Sequence, residues 1–168
     1  LLNKNNKDYP DIALVIADVE NLKRNLLLFT QIKDLGIPTI LVINMADQMK
    51  RKGISLDIPI LEQMLETKIA LLSTRQNTGL EELKKLILNY RSITNKPLIK
   101  INSIDEKYFN NLEKAFPKQL LYKLWLVINQ DADFARIQRK LLSDITKFQT
   151  KSKSEIKRLQ QKETIKRY

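Results

Sequence analysis

Two short stretches hold the side chains whose types and spacing suit chemistry: Asn44-Met45-Ala46-Asp47 and, about thirty residues later, Ser73-Thr74-Arg75. A carboxylate such as Asp47 is a fork of two acceptors, and it suits a partner that presents two adjacent N–H donors. Guanine offers that pair in its ring N–H and exocyclic amine; adenine does not. Each stretch alone also has a plainer reading, as a helix cap after a strand and as a capping turn before a helix. Taken together, in this order and at two strand ends, they favour guanine recognition.

The inventory excludes much else. With no cysteine and no histidine, disulfides, zinc sites built on thiolate or imidazole, and Ser-His or Cys-His catalysis are ruled out, leaving carboxylate and backbone chemistry. The three glycines, Gly36, Gly53 and Gly79, form no G-x-x-x-x-G-K-[ST] loop, so no phosphate cradle, no catalytic residue and no metal site is assigned.

The elements that must position these residues follow from periodicity. Asp11 to Asp18 (DIALVIAD) is a nearly continuous apolar run, the pattern of a strand buried on both faces of a parallel sheet. Asn21 to Leu35 has helical spacing, with Asn21 as N-cap and Gly36 and Pro38 ending it. Thr39 to Asn44 reads as a second buried strand, Ile58 to Glu66 as helix, Lys68 to Ser73 as strand and Leu80 to Tyr90 as amphipathic helix. Strands alternating with helices predict an α/β unit with a parallel sheet, whose ligands sit beyond the carboxyl ends of the strands.

After Tyr90 the helical period is lost around Pro97, which divides the chain into residues 1–92 and an all-α helical domain over 93–168. Leu112, Phe116, Leu120, Leu121, Leu124, Trp125 and Ile128, then Phe134, Ile137, Leu141, Leu142, Ile145 and Phe148, mark the apolar stripes of a small bundle, with Pro117 opening one helix. Lys151 to Tyr168 reads as a solvated helix or a connector. Of the net charge of +11, residues 1–95 carry +2 (13 basic, 11 acidic) and residues 96–168 carry +9 (17 basic, 8 acidic). No apolar run reaches the roughly 18 residues of a membrane span, and the opening Leu1-Leu2-Asn3-Lys4 is neither an initiator methionine nor a signal peptide. The chain is therefore expected to be a soluble piece of something longer.

The paired motifs match the two guanine-reading loops of small GTPases, and the flanking sequence resembles one family. Asp18-Val19-Glu20-Asn21-Leu22-Lys23-Arg24-Asn25-Leu26 resembles the D-A-x-N-L-x-R-N-L segment of ferrous iron transport protein B, and Asp34-Leu35-Gly36-Ile37-Pro38 its helix-to-strand turn. Asn44-Met45-Ala46-Asp47 resembles its N-M-x-D, and Lys52-Gly53-Ile54 with Asp57, then Glu163-Thr164-Ile165 with Arg167-Tyr168, continue the likeness.

The resemblance implies a partial P-loop GTPase-type sheet, three strands with helices, followed by the helical domain. Asn44 would contact the base edge and tie neighbouring loops together, Ser73 would brace Asp47, and a backbone N–H at Thr74 or Arg75 would meet the guanine carbonyl. The thioether of Met45 and the stem of Arg75 would cover the base. GTP or GDP is the implied ligand, through base contacts only. The phosphate loop, the D-x-x-G switch and the threonine that would help hold Mg2+ in a complete domain are missing from this sequence, so the chain is expected neither to hydrolyse GTP nor to hold it tightly. Thr74 stands where the family usually has alanine.

The implied setting is the cytoplasmic face of a bacterial inner membrane, as the regulatory portion of an iron transporter, with the membrane portion of the same polypeptide as partner and iron handled there. Lys147, Lys151, Lys153, Lys157, Arg158, Lys162, Lys166 and Arg167 are expected to lie against anionic lipid or to form a solvated face. Nucleic acid is not expected, because Tyr108, Phe109, Phe116, Tyr122, Trp125, Phe134 and Phe148 fall largely on apolar stripes. Association of copies through the face left open by the absent strands is also expected. Two alternatives stay open: an RNA-binding GTPase of the ribosome-assembly kind, and a non-catalytic interaction module.

Overall fold

A computed structural model describes residues 7–129, 144–145, 148 and 151–167, the side chain of Lys50 excepted. Two compact units emerge, Pro10–Leu98 and a second comprising Leu1–Tyr9 with Ile99–Tyr168.

The Pro10–Leu98 unit is a three-stranded parallel sheet in the order β1 (Ala13–Asp18), β2 (Thr39–Asn44), β3 (Ile69–Leu71). Pairing runs from Ala13↔Thr39 to Asp18↔Asn44 and from Leu41↔Ile69 to Ile43↔Leu71, so the ends of β1 and β2 lie level. The helices are α1 (Leu22–Lys33), α2 (Ala46–Lys52), α3 (Ile58–Leu65) and α4 (Leu80–Leu88). As the central strand, β2 is buried from Thr39 to Ile43. Side chains alternate across it: Leu41 and Ile43 join Val15, Ala17, Phe29 and Ile69 in one core, while Ile40 and Val42 join Ala70, Leu83 and Ile93 in the other.

The expectation that the first strand is buried on both faces is corrected. Leu14 is 40% and Ile16 68% exposed, because β1 is an edge strand and α4 packs on β3. α2 was not foreseen. Asn21 does occupy the cap position of α1 but makes no capping bond through its side chain. Its N–H and Nδ2 instead donate to Asp18 Oδ1 at 2.7 and 3.0 Å, and this bonding, led by the side chain, holds the Asp18 carboxyl below its ordinary range.

The units divide after Leu98, six residues beyond the boundary expected at 92/93. The intervening residues are tied to the sheet. Ile93 is in the core, the Thr94 carbonyl accepts from Lys33 Nζ at 3.1 Å, and the Leu98 N–H donates to Asp34 Oδ1 at 2.7 Å.

Lys33 is fully buried, and its ammonium also donates to the Glu66 carbonyl at 2.7 Å. Burial, opposed by the Glu66 and Asp34 charges, holds its pKa below the ordinary 10.5. Lys33→Ala is expected to cost about 3 kcal/mol, through two lost bonds and a cavity. Between the lowered folded pKa and 10.5, the unfolded chain binds more protons than the folded one. Stability should therefore rise with pH in that window for the wild type and not for Lys33→Met, a difference that urea midpoints at about pH 8 and pH 10 measure.

The second unit contains α5 (Glu106–Ala115), α6 (Leu121–Asn129) and α7 (Lys153–Arg167) among the described residues. Asp105 caps α5, accepting the Tyr108 N–H at 3.1 Å. Pro117 does not open a helix: it lies in a turn after α5, and α6 begins at Leu121. Phe109 packs edge to face on Tyr108 and on Trp125, each with ring centroids 5.2 Å apart. The apolar positions Phe134, Ile137, Leu141 and Leu142, together with Lys147 and Tyr168, lie outside the described residues; Ile145 is buried.

The final stretch is helical, with Ile156, Leu159 and Glu163 turned inward. Ile165 is 75% exposed. No described helix is long and apolar enough to cross a membrane.

Candidate functional site

β2 delivers Asn44 to its carboxyl end, and Met45 then takes a left-handed conformation (φ 64°, ψ 32°). Such a conformation is uncommon outside glycine and turns the chain sharply from strand into helix. It brings Asp47 into the first turn of α2, where no side chain caps the helix. The Asp47 carboxylate is therefore not consumed by its own helix end.

Its two oxygens meet side chains instead, one from beyond β3 and one from the next residue of α2. The Ser73 hydroxyl, on a residue only 1% exposed, donates to Oδ1 at 2.6 Å, and Gln48 Nε2 donates to Oδ2 at 3.3 Å. An ionised carboxylate has about four lone-pair sites, so each oxygen keeps acceptor capacity for a ligand.

The end of β3 is fastened to the same place. The Leu72 N–H donates to the Ile43 carbonyl at 2.8 Å, and the Ala46 N–H donates to the Leu72 carbonyl at 2.9 Å. Ser73 and Thr78 exchange both backbone hydrogen bonds at 3.1 Å, closing the loop between them, and the Gln76 N–H donates to Ser73 Oγ at 3.2 Å. Asn44 joins the two tips: its Oδ1 accepts the Thr74 N–H at 3.3 Å, and its Nδ2 lies 3.5 Å from Thr74 Oγ1. Met45 is 36% exposed, and Thr74 and Arg75 are exposed.

All six residues singled out from the sequence, Asn44, Met45, Asp47, Ser73, Thr74 and Arg75, thus stand at the adjoining ends of β2 and β3. Five of them belong to one bonded arrangement or its turn, whereas Arg75 extends from the loop with no side-chain hydrogen bond among the described residues. Of the two N–H groups expected to reach a guanine carbonyl, that of Thr74 is already given to Asn44.

Two residues escaped the sequence reading. Gln48 carries no motif of its own, and only folding shows its amide against Asp47. Gly79 (φ 85°) packs so closely that a Cβ there would lie 2.0 Å from the Leu71 carbonyl oxygen; a glycine directly before a helix was the available hint. Among the described residues no group of three or more His, Cys, Asp or Glu gathers as a metal site.

Comparison with known proteins supplies the lineage. Residues 3–87 match the family model described as Ferrous iron transport protein B. A Porphyromonas gingivalis protein, the "Fe(2+) transport protein A/Fe(2+) transporter FeoB fusion protein", is 35% identical over 115 residues, 66% of this chain and 14% of its own length. The Leptospira biflexa Fe(2+) transporter FeoB is 31% identical over 105 residues, 62% of this chain and 15% of its own. The chain therefore spans about one seventh of the length of these curated relatives.

Among solved structures, the cytosolic domain of T. maritima FeoB in a GDP form superposes with a TM-score of 0.80 at 20% identity, covering 96% of this chain and 65% of that one. The cytosolic domain of L. pneumophila FeoB gives 0.69 at 23% identity, covering 92% and 64%. These likenesses concern the fold, whereas the family match covers half the chain at the level of sequence. The chain belongs to the ferrous iron transport protein B family.

Proposed function

We propose that the ends of β2 and β3 receive the guanine base of GTP or GDP, within the regulatory portion of a bacterial ferrous iron membrane transporter. The observation that carries this reading is the setting of Asp47, a carboxylate whose Oδ1 is oriented by Ser73 from beyond β3 and whose Oδ2 meets the side chain of Gln48, with neither oxygen capping a backbone N–H of its own helix. Its fork accepts the ring N–H and the exocyclic amine of guanine. Asn44 meets the base edge while tying the two loops, and the Met45 thioether and the Arg75 stem cover the base faces. The Arg75 N–H meets the guanine carbonyl.

The relatives named as Fe(2+) transporters and the solved relatives titled in GDP and GMPPNP forms support this reading. In it the chain works at the cytoplasmic face of the membrane, joined to the membrane portion of the same polypeptide. The sequence holds no phosphate loop or switch motif, so these residues recognise the base and are assigned no step of hydrolysis and no Mg2+. The test is binding of GMP and AMP to the 168-residue chain, followed by amide chemical shifts. GMP should bind tighter by about tenfold or more; equal affinities would refute guanine recognition.

The helical unit is assigned an anionic lipid surface as a further partner. Lys153, Lys157, Arg158, Lys162 and Lys166 are exposed on α7, although Lys166 also reaches the Ser103 carbonyl at 3.3 Å. Two of the expected cations drop out: the Arg167 side chain is fully buried against Glu163, and Lys151 pairs with Asp105 at 3.0 Å. Each exposed cation near such a surface contributes about 1 kcal/mol, screened by salt. Co-sedimentation with anionic vesicles, weakening as salt rises and absent with zwitterionic ones, is the expected outcome; equal binding to both vesicle types contradicts the assignment.

A further inference from the structure

We propose that Gln48 is the positioning residue for the second oxygen of Asp47, and that it thereby sets whether the site reads the exocyclic amine of the base. The inference rests on the guanine reading above and extends it to a residue outside both motifs.

The final torsion of an aspartate is broad, so a carboxylate held at one oxygen still swings about that contact. Ser73 fixes Oδ1 at 2.6 Å from the neighbouring strand end. That bond alone sets a point and not a plane. Gln48 Nε2, 3.3 Å from Oδ2, reaches it from the next residue of α2, and the two contacts together define the plane of the fork. A bidentate pair requires that plane to coincide with the plane of the base.

Gln48 is itself held. Its N–H donates to the Met45 carbonyl at 2.9 Å, so the turn from Met45 to Gln48 moves as one piece. The side-chain type matters, because a primary amide donates to a carboxylate without neutralising it. An acid at this position would repel Asp47, and an ammonium would compete with the base for it.

The test compares GMP, IMP and AMP on the intact chain by amide chemical shifts. IMP keeps the ring N–H and lacks the exocyclic amine. The wild type should bind GMP about five- to tenfold tighter than IMP, the worth of one further hydrogen bond to a charged group. In Gln48→Leu, GMP affinity should fall about fivefold and IMP affinity less than about twofold, so that the ratio collapses toward one.

Gln48→Glu keeps the shape and removes the donor. It should lose more GMP affinity than Gln48→Leu at about pH 7.5, and regain it toward about pH 5.5, as the glutamic acid takes up a proton and donates to Asp47. An unchanged GMP to IMP ratio in Gln48→Leu, or equal losses for both nucleotides, overturns the positioning role while leaving guanine recognition intact. A wild type that fails to prefer GMP over AMP overturns the guanine reading, and this inference with it.

Discussion

Gly79→Ala should destabilise the chain by about 4 kcal/mol, combining an unfavourable backbone conformation with overpacking. Gly79 sits at φ 85°, and a methyl group there would lie 2.0 Å from the Leu71 carbonyl oxygen and 2.9 Å from Leu72 Cδ2. The leucine side chain can turn aside. The carbonyl cannot, because it belongs to β3.

Nor can the glycine retreat cheaply. Its own carbonyl accepts the Leu83 N–H of α4 at 3.1 Å, and the preceding Thr78 is bonded twice to Ser73. Relief would come from opening the loop that carries Thr74 and Arg75, so guanine affinity should fall even in molecules that stay folded. Gly53→Ala is the internal control. Gly53 also has a positive φ of 64°, but nothing lies within 4 Å of its missing Cβ, and the backbone conformation alone costs about 1 kcal/mol. Urea denaturation of both variants measures the difference, and a Gly79→Ala cost no larger than that of Gly53→Ala would contradict the close approach.

In the helical unit, Glu163→Ala should cost about 3–4 kcal/mol, the usual consequence of breaking a buried ion pair from one side. Glu163 accepts the Trp125 Nε1–H at 2.6 Å through Oε2, and Arg167 Nε and Nη2 at 2.9 and 2.8 Å through Oε1. The Arg167 guanidinium lies 4.9 Å from the centre of the Tyr122 ring. Without the carboxylate, a buried cation and an indole N–H both lose an acceptor.

Among the described residues, Ile156 and Leu159 are the buried apolar residues of α7. Glu163→Leu combined with Arg167→Met should recover about half the loss, because it removes the charge together with its partner. The chain has one tryptophan, so fluorescence in urea reports directly on Trp125. A Glu163→Ala variant within about 1 kcal/mol of wild type, the range of an exposed pair, would mean that the contact contributes no more than a surface ion pair.

How far the sequence led depended on whether the deciding contacts were local. TILVIN and DIALVIAD look alike as apolar runs, and both form parallel strands. One is central and buried, whereas the other is an edge with Ile16 exposed, since a run of residues does not encode its neighbour in the sheet. That the six singled-out residues would lie together was legible because their strands end where the apolar runs end, and parallel topology gathers such ends together. Gln48 was not, although it follows Asp47 directly, because the carboxylate it meets is oriented by Ser73, which lies beyond the end of β3.

Asn21 illustrates a local rule displaced by a neighbour. A cap residue was correctly located, but the carboxylate of Asp18 three residues earlier takes both its N–H groups. α2 was missed because ADQMKRK offers only Met49 to the core, too few apolar positions to show a helical period. The stretch after Ser92 was placed in the second domain for want of periodicity, yet its attachment comes from Lys33 and Asp34, far away in sequence.

The central claim is that Asp47 reads two adjacent N–H groups of a base, and Asp47→Asn tests it most directly. An amide offers one acceptor and one donor where the carboxylate offered two acceptors. Measured by amide chemical shifts on the intact chain, the variant should lose GMP affinity by about tenfold or more and gain affinity for XMP, whose carbonyl replaces the exocyclic amine. A reversed preference between GMP and XMP is the expected result; an Asp47→Asn chain that still prefers GMP as the wild type does would contradict the account.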